Sequence, residues 1–267
     1  MVHMKWILRF CLVGIMLLIA VFLLLYFLQE KVIFFPTKLS NDHKYSFNIP
    51  FEELTLDSGS EKINSILFTK TGNKGVVLYL HGNAGNLDSW AYVFQDFQNT
   101  PYDFWIIDYR GYGKSTGTIQ SENDLHRDAE ALYQAALQRY KGKDIIIYGR
   151  SIGSGVAAKL AKNHPPKMLF LETPYYNFPD LVHSMYPFLP DFLIRYKLST
   201  DQYIAKTEYP VHLFHGTKDE LIPYTSSIRL AELSDKITLH TIEDAGHNNI
   251  SSFPVFRKRL LSILGKR

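Results

Sequence analysis

Tyr148-Gly149-Arg150-Ser151-Ile152-Gly153 decides the fold. It is a G-x-S-x-G pentapeptide following the apolar run Asp144–Tyr148, and it leads into the helical pattern Ile152–Asn163. A strand that must turn sharply into a helix needs small residues at the turn, and the strained bend exposes the serine oxygen. Side chains at Gly149 or Gly153 are expected to collide with neighbouring strands. The serine then lies at a helix N-terminus, where backbone N–H groups favour developing negative charge. Ser151 is therefore the candidate nucleophile; a surface Gly/Ser turn is the plainer alternative.

Working outward, strand candidates are Glu52–Leu56, Ile63–Phe68, Val76–Leu80, Phe104–Tyr109, Asp144–Tyr148, Met168–Glu172, Val211–His215 and Ile237–Ile242. VVLYL, FWIID, DIIIY and MLFLE are nearly continuous apolar runs, as parallel strands buried on both faces require. The first two candidates alternate more and lie close together, which predicts an antiparallel edge pair. Helical patterns over Ser121–Tyr140, Ile152–Asn163, Ser226–Leu233 and Val255–Leu264 intervene; the first opens on a capping Ser121 with a carboxylate in its first turn. Alternating strands and helices predict an α/β fold, a mostly parallel eight-stranded sheet with helices on both faces.

A nucleophilic serine needs a base, and the base an orienting acid, in the chain order Ser, Asp or Glu, His on such a fold. Asp219 follows the VHLFH strand and His247 the ITLHTI strand, so both fall on the sheet edge that carries Ser151. Asp244 and Glu172 are the competing acids. A turn aspartate and a loop histidine are the ordinary readings of Asp219 and His247 taken singly. The oxyanion of an acyl intermediate needs preorganised donors, each typically worth ~2.7–4 kcal/mol. The N–H of Ile152 is one candidate. The other lies in His81-Gly82-Asn83-Ala84-Gly85-Asn86, with Asn83 favoured over Ala84. His212 and His215 point to opposite faces of one strand and form no metal pair; no metal or cofactor is expected. Asp108-Tyr109-Arg110-Gly111-Tyr112-Gly113 lacks the Lys-Ser/Thr ending of a phosphate loop and reads as a tight turn beside the active-site rim.

The chain has 267 residues, 46% apolar and 21% charged, with 18 Phe and 17 Tyr, too much burial for a disordered chain. Its one cysteine, Cys11, excludes a disulfide scaffold and a cysteine-rich zinc module. A net charge of +3 gives no reason to expect nucleic acid as a partner. Phe10–Leu28 carries no charge and no proline, about the ~20 residues that cross ~30 Å of hydrocarbon. Lys5 and Arg9 precede it. It is longer than the apolar region of a cleaved signal peptide and lacks a small-x-small site, so an uncleaved anchor is the expectation. The flanking lysines and arginine slightly favour a cytoplasmic N-terminus, with the domain on the non-cytoplasmic side. The chain thus divides into an anchor (1–30), a linker (31–50) and one domain (51–267). The aromatic- and proline-rich stretch 174–209 reads equally as a lid or substrate wall and as helical core.

LYLHGNAGN, DYRGYGKSTG, YGRSIGSGVA, HGTKDELIP and GHNN together resemble the membrane-anchored, bud-emergence-type, serine aminopeptidase-like branch of the α/β-hydrolase superfamily. By this resemblance Ser151, Asp219 and His247 correspond to a catalytic triad and the HGN turn to the oxyanion loop. The resemblance implies a membrane-held serine hydrolase acting on small-molecule or lipid acyl esters or thioesters, lysophospholipids and acylated proteins included. A peptidase on the same triad is the first alternative, and a non-catalytic membrane-bound interaction domain the second.

Overall fold

The computed structural model describes residues 2–266. It opens with α1 (Val2–Phe27) and α2 (Gln29–Ile33), then the short strand β1 (Phe35–Pro36), β2 (Glu52–Ser58), β3 (Glu61–Phe68) and β4 (Val76–Leu80). There follow β5 (Ala84–Gly85), α3 (Leu87–Trp90), α4 (Phe94–Phe97), β6 (Asp103–Ile107), α5 (Glu122–Leu137), β7 (Ile145–Arg150) and α6 (Ile152–Asn163). The chain ends with β8 (Met168–Glu172), α7 (Phe178–Met185), α8 (Thr200–Ile204), β9 (Val211–Gly216), α9 (Thr225–Ala231), β10 (Ile237–Ile242) and α10 (Pro254–Leu264).

Eight strands form one sheet in the order β10-β9-β8-β7-β4-β6-β3-β2. β2 and β3 are the antiparallel edge, β3 also runs antiparallel to β6, and the remaining pairs are parallel. The continuous apolar runs have a direct cause in the two cores. Val76, Leu78 and Leu80 enter one, with Ile145, Ile147 and Trp105; Val77 and Tyr79 enter the other, with Ile146, Tyr148 and Phe104. Successive side chains point to opposite faces, so a strand covered on both sides shows no polar alternation. On one face α5 and α6 pack against the sheet; α5 is started by a capping box in which Ser121 and Asp124 satisfy each other's backbone N–H groups.

Several boundaries differ from the sequence reading. β6 ends at Ile107, so Asp108 and Tyr109 belong to the turn rather than the strand. β7 runs on through Gly149 and Arg150, which pair with Leu171 and Glu172 of β8. The β1–β5 pair, where Phe35 and Pro36 register with Ala84 and Gly85, has no counterpart in that reading, because two residues carry no periodicity. The stretch 31–50 packs on the domain: Phe34 and Tyr45 are buried, and Tyr45 Oη donates to Asn64 Oδ1 at 2.8 Å. Residues 174–209 divide by burial. Tyr175, Tyr196, Leu198 and Ile204 are buried, whereas Tyr186, Phe188 and Phe192 are exposed.

On the outer strands, His212 Nδ1 lies 3.1 Å from His240 Nε2, and the His240 ring stacks on Phe214. Burial, then the neighbouring His212 and Arg259, push the His240 pKa down to about 4; burial also lowers that of His212. The unfolded chain therefore takes up protons that the folded chain refuses. Stability is fully present above the unfolded value near 6.5 and is lost as pH falls towards about 4. For a partly buried ring we expect a loss on the order of 1–2 kcal/mol. His240→Gln is expected to flatten the Tm-against-pH curve across that window; an unchanged slope rejects this account.

Candidate active site

The bend after β7 carries backbone strain. Ser151 sits at φ 53° and ψ −123°, a left-handed conformation unusual for a residue with a Cβ. Its N–H donates to the Glu172 carbonyl at 2.9 Å, and its own carbonyl accepts from the Ser154 N–H at 2.9 Å, so both sides of the bend are fixed. The flanking glycines are needed for close approach. A Cβ on Gly153 would lie 2.2 Å from the Leu80 carbonyl oxygen and 2.6 Å from that of His81, at the end of β4. A Cβ on Gly149 would lie 2.3 Å from the Gly153 carbonyl oxygen and 2.5 Å from the Ala157 Cβ. The collision anticipated with a neighbouring strand thus holds at Gly153, whereas at Gly149 the obstacle is α6. Gly153→Ala forces backbone apart and is expected to lower stability by at least about 3 kcal/mol in denaturant unfolding. A loss under 1 kcal/mol would contradict the packing described.

The structure brings Ser151, His247 and Asp219 into one line. His247 Nε2 lies 3.0 Å from Ser151 Oγ, and His247 Nδ1 lies 2.8 Å from Asp219 Oδ2. Asp219 Oδ1 accepts from the N–H groups of Leu221 (2.9 Å) and Ile222 (2.8 Å). The Asp219 side chain is fully buried and that of His247 nearly so. Burial alone would raise the Asp219 pKa; hydrogen bonds from His215 and His247, the charge of His247 and the Ile222 N–H outweigh it and hold the carboxyl well below its usual range. The two competing acids are engaged elsewhere. Asp244 pairs with Lys218 at 2.7 Å on the surface. Glu172 accepts from Tyr148 Oη at 2.6 Å and pairs with Arg150 Nε at 3.2 Å.

Asn83 and Ile152 line the same cavity as Ser151 and His247. Ile152 is the first residue of α6, so its N–H has no intrahelical acceptor. The Asn83 peptide is gripped from behind: its carbonyl accepts from the Phe35 N–H at 2.8 Å and from Tyr112 Oη at 2.7 Å, and its side chain donates to the Ile33 carbonyl at 2.9 Å. Tyr112 comes from the DYRGYG turn, which Arg110 anchors through a buried pairing with Asp128 and Asp124 at 2.7 and 2.9 Å. That turn therefore supports the HGN loop.

Residues that sequence reasoning missed lie one layer out. His215 Nε2 is 3.2 Å from Asp219 Oδ2 and 3.0 Å from the Ile222 carbonyl, and its Nδ1 is 2.7 Å from Ser227 Oγ. Its place four residues before Asp219 is the one signal that hints at this. Arg150 donates to the His247 carbonyl at 3.3 Å while paired with Glu172, and its guanidinium lies over the Trp90 ring. Among the described residues, no cluster of three or more His, Cys, Asp or Glu side chains is arranged for a metal ion.

The cavity above Ser151 measures 1110 Å³ and is walled by the apolar side chains of α7 and the segment after it, by Leu221 and Ile222, and by Leu25, Val32 and Ile33 from the N-terminal helices. Among the described residues, no carboxylate lines it.

With this geometry in hand, similarities to known proteins acquire a structural meaning. The family described as serine aminopeptidase, S33, matches residues 71–202. The lysophosphatidylserine lipase ABHD12 of Danio rerio is 31% identical over 180 residues, covering 60% of this chain and 47% of that protein. Protein bem46 of Schizosaccharomyces pombe is 28% identical over 218 residues, covering 76% of this chain and 73% of that one. The chain thus spans about half the length of the zebrafish lipase. Among solved structures, the Pyrococcus furiosus esterase Pf2001 superposes with a TM-score of 0.70 over 87% of this chain and 98% of that one, at 17% identity, which establishes a shared fold. The matched segment holds the HGN loop, the DYRGYG turn and the serine bend, and the fold carries β9 and β10 beyond it: the chain has the α/β-hydrolase fold and is similar in sequence to the bem46-like branch of that superfamily.

Proposed function

We propose that this chain is a membrane-anchored serine hydrolase that cleaves carboxylic esters or thioesters of acyl or lipid-like substrates. The observation that carries the reading is the hydrogen-bonded line from Ser151 Oγ through His247 to Asp219, opening into a 1110 Å³ apolar cavity. Ser151 Oγ attacks the acyl carbonyl carbon as His247 Nε2 takes its proton. Asp219 accepts from Nδ1, holds the ring in the reactive tautomer and stabilises the imidazolium. The N–H groups of Asn83 and Ile152 receive the oxyanion. His247 then protonates the departing alkoxide or thiolate, and a water deprotonated by the same nitrogen releases the acid from the acyl-enzyme.

Anchoring is part of this reading. Met4–Phe27 is long and apolar enough to cross a bilayer, and its large apolar side chains are exposed. The domain is then held on the non-cytoplasmic side if Lys5 and Arg9 stay inside. The aminopeptidase alternative on the same triad is weakened by the cavity wall, which among the described residues offers no carboxylate to receive a substrate ammonium group. Its lining includes Arg150 instead.

The test is a fluorophosphonate label on the full-length chain in detergent, beside hydrolysis of p-nitrophenyl esters from acetate to palmitate and of aminoacyl p-nitroanilides. The expected result is labelling, ester turnover and no anilide turnover. A folded protein that neither labels nor turns over any ester rejects the hydrolase reading and leaves the interaction domain. Anilide turnover exceeding ester turnover selects the peptidase.

A further inference from the structure

The anchor enters the cavity wall. Leu25, within the last turn of α1, lines the same cavity as Ser151 and His247, together with Gln29, Val32 and Ile33 of α2. A tether that served only to hold the domain near a membrane has no reason to touch the site.

This segment is bolted in place at both ends. On one side, Gln29 donates to the Leu193 carbonyl and accepts from the Arg195 N–H at 3.0 Å. Glu30 accepts from Tyr196 Oη at 2.9 Å and pairs with Arg195 at 2.9 Å. On the other, the Ile33 carbonyl accepts from the Asn83 side chain, and the Phe35 N–H donates to the Asn83 carbonyl. Residues 29–35 therefore join the segment 191–196 to the HGN loop, and the end of the apolar span is fixed relative to Ser151.

Leu25 is two residues from the end of α1, about 3 Å along the axis at ~1.5 Å per residue. With α1 across a bilayer, this part of the wall stands at the boundary between hydrocarbon and headgroups. Four of the apolar residues lining the cavity are exposed: Val32 is 69% exposed, Met185 52%, Tyr186 64% and Phe188 96%. Phe192, 72% exposed, lies in the 3₁₀ turn Asp191–Leu193 that contacts α1. Exposed large apolar side chains grouped beside a membrane-crossing helix fit a bilayer rather than water.

We infer that the cavity opens sideways into the leaflet that holds α1, and that a long acyl chain enters from the bilayer between Leu25 and Val32 on one side and the 185–192 segment on the other. The inference rests on the hydrolase reading for the fate of the chain, and on the cavity and the anchor for its route. It makes Leu25 and Val32 determinants of chain-length specificity.

The test uses the full chain in phosphatidylcholine nanodiscs, with p-nitrophenyl acetate offered from water and p-nitrophenyl palmitate dissolved in the disc. Leu25→Trp and Val32→Trp narrow the opening, and each is expected to lower the palmitate-to-acetate turnover ratio at least tenfold. An unchanged ratio in both overturns the inference. A second readout needs no turnover. In a Cys11→Ser background, Phe188→Cys carrying an environment-sensitive fluorophore is expected to emit at shorter wavelength in the disc than in detergent-free buffer with the disc lipid omitted. A water-like emission in the disc overturns the sideways opening whatever the activity. Failure of the parent reading looks different: hydrolysis persists in Ser151→Ala, while the fluorophore still reports the position of the rim.

Discussion

Replacing Ser151 by Ala is expected to lower ester turnover by about 10⁶-fold and to abolish fluorophosphonate labelling, with the fold intact. Alanine keeps the Cβ and therefore the strained backbone at φ 53°, and it removes only the oxygen that lies 3.0 Å from His247 Nε2. One hydrogen bond contributes about 1 kcal/mol net, so stability changes little while the nucleophile is gone. A companion variant separates chemistry from architecture. Ser151→Gly also lacks the oxygen but relieves a left-handed residue whose strain is of order 1–3 kcal/mol. It should be equally inactive and more stable than wild type, as Tm reads directly. A strained residue whose relief abolishes activity is retained for its chemistry; turnover within tenfold of wild type in either variant would move the nucleophile elsewhere.

The sheet is legible because burial on two faces leaves a mark in one dimension. Val76–Leu80 and Met168–Glu172 read as strands with their observed bounds, since every residue from Val76 to Leu80 is buried and only Met168 of the other strand is not. The loops after β7, β9 and β10 are equally visible, and so are the residues they carry. How those side chains meet is not, because a 96-residue separation between Ser151 and His247 is closed by strand order, which no local pattern encodes. The same reason hides His215 behind Asp219 and Tyr112 and Phe35 behind Asn83. Each is an ordinary core or turn residue in sequence; Tyr112 and Phe35 acquire their roles from a neighbour on another strand end, and His215 from the way the loop after β9 folds back. The docking of 31–50 escapes notice for a further reason. The buried side chains among its contacts are single residues, Phe34 and Tyr45, set in a stretch with no helical or strand period.

Asp219→Asn is the second large effect, and its size follows from how the carboxylate is surrounded. Oδ1 faces two backbone donors, the N–H groups of Leu221 and Ile222, so an asparagine must keep its carbonyl oxygen there. The amide NH₂ then replaces Oδ2, 2.8 Å from His247 Nδ1 and 3.2 Å from His215 Nε2. His247 can accept from that group only by moving its proton to Nε2, which turns the nitrogen facing Ser151 from an acceptor into a donor. His215 cannot adapt as easily, because its Nε2 also faces the Ile222 carbonyl at 3.0 Å and must remain a donor. The geometry survives with the base in the wrong tautomer, and kcat is expected to fall about 10⁴-fold with KM little changed. Since the Asp219 carboxyl is held well below its usual range, the wild-type residue stays ionised throughout the neutral and mildly acidic range, and the deficit should persist across it. A loss under tenfold, with a large one in Glu172→Gln, would transfer the role to the acid beside Arg150 and leave Asp219 as the turn aspartate that its bonds to Leu221 and Ile222 resemble.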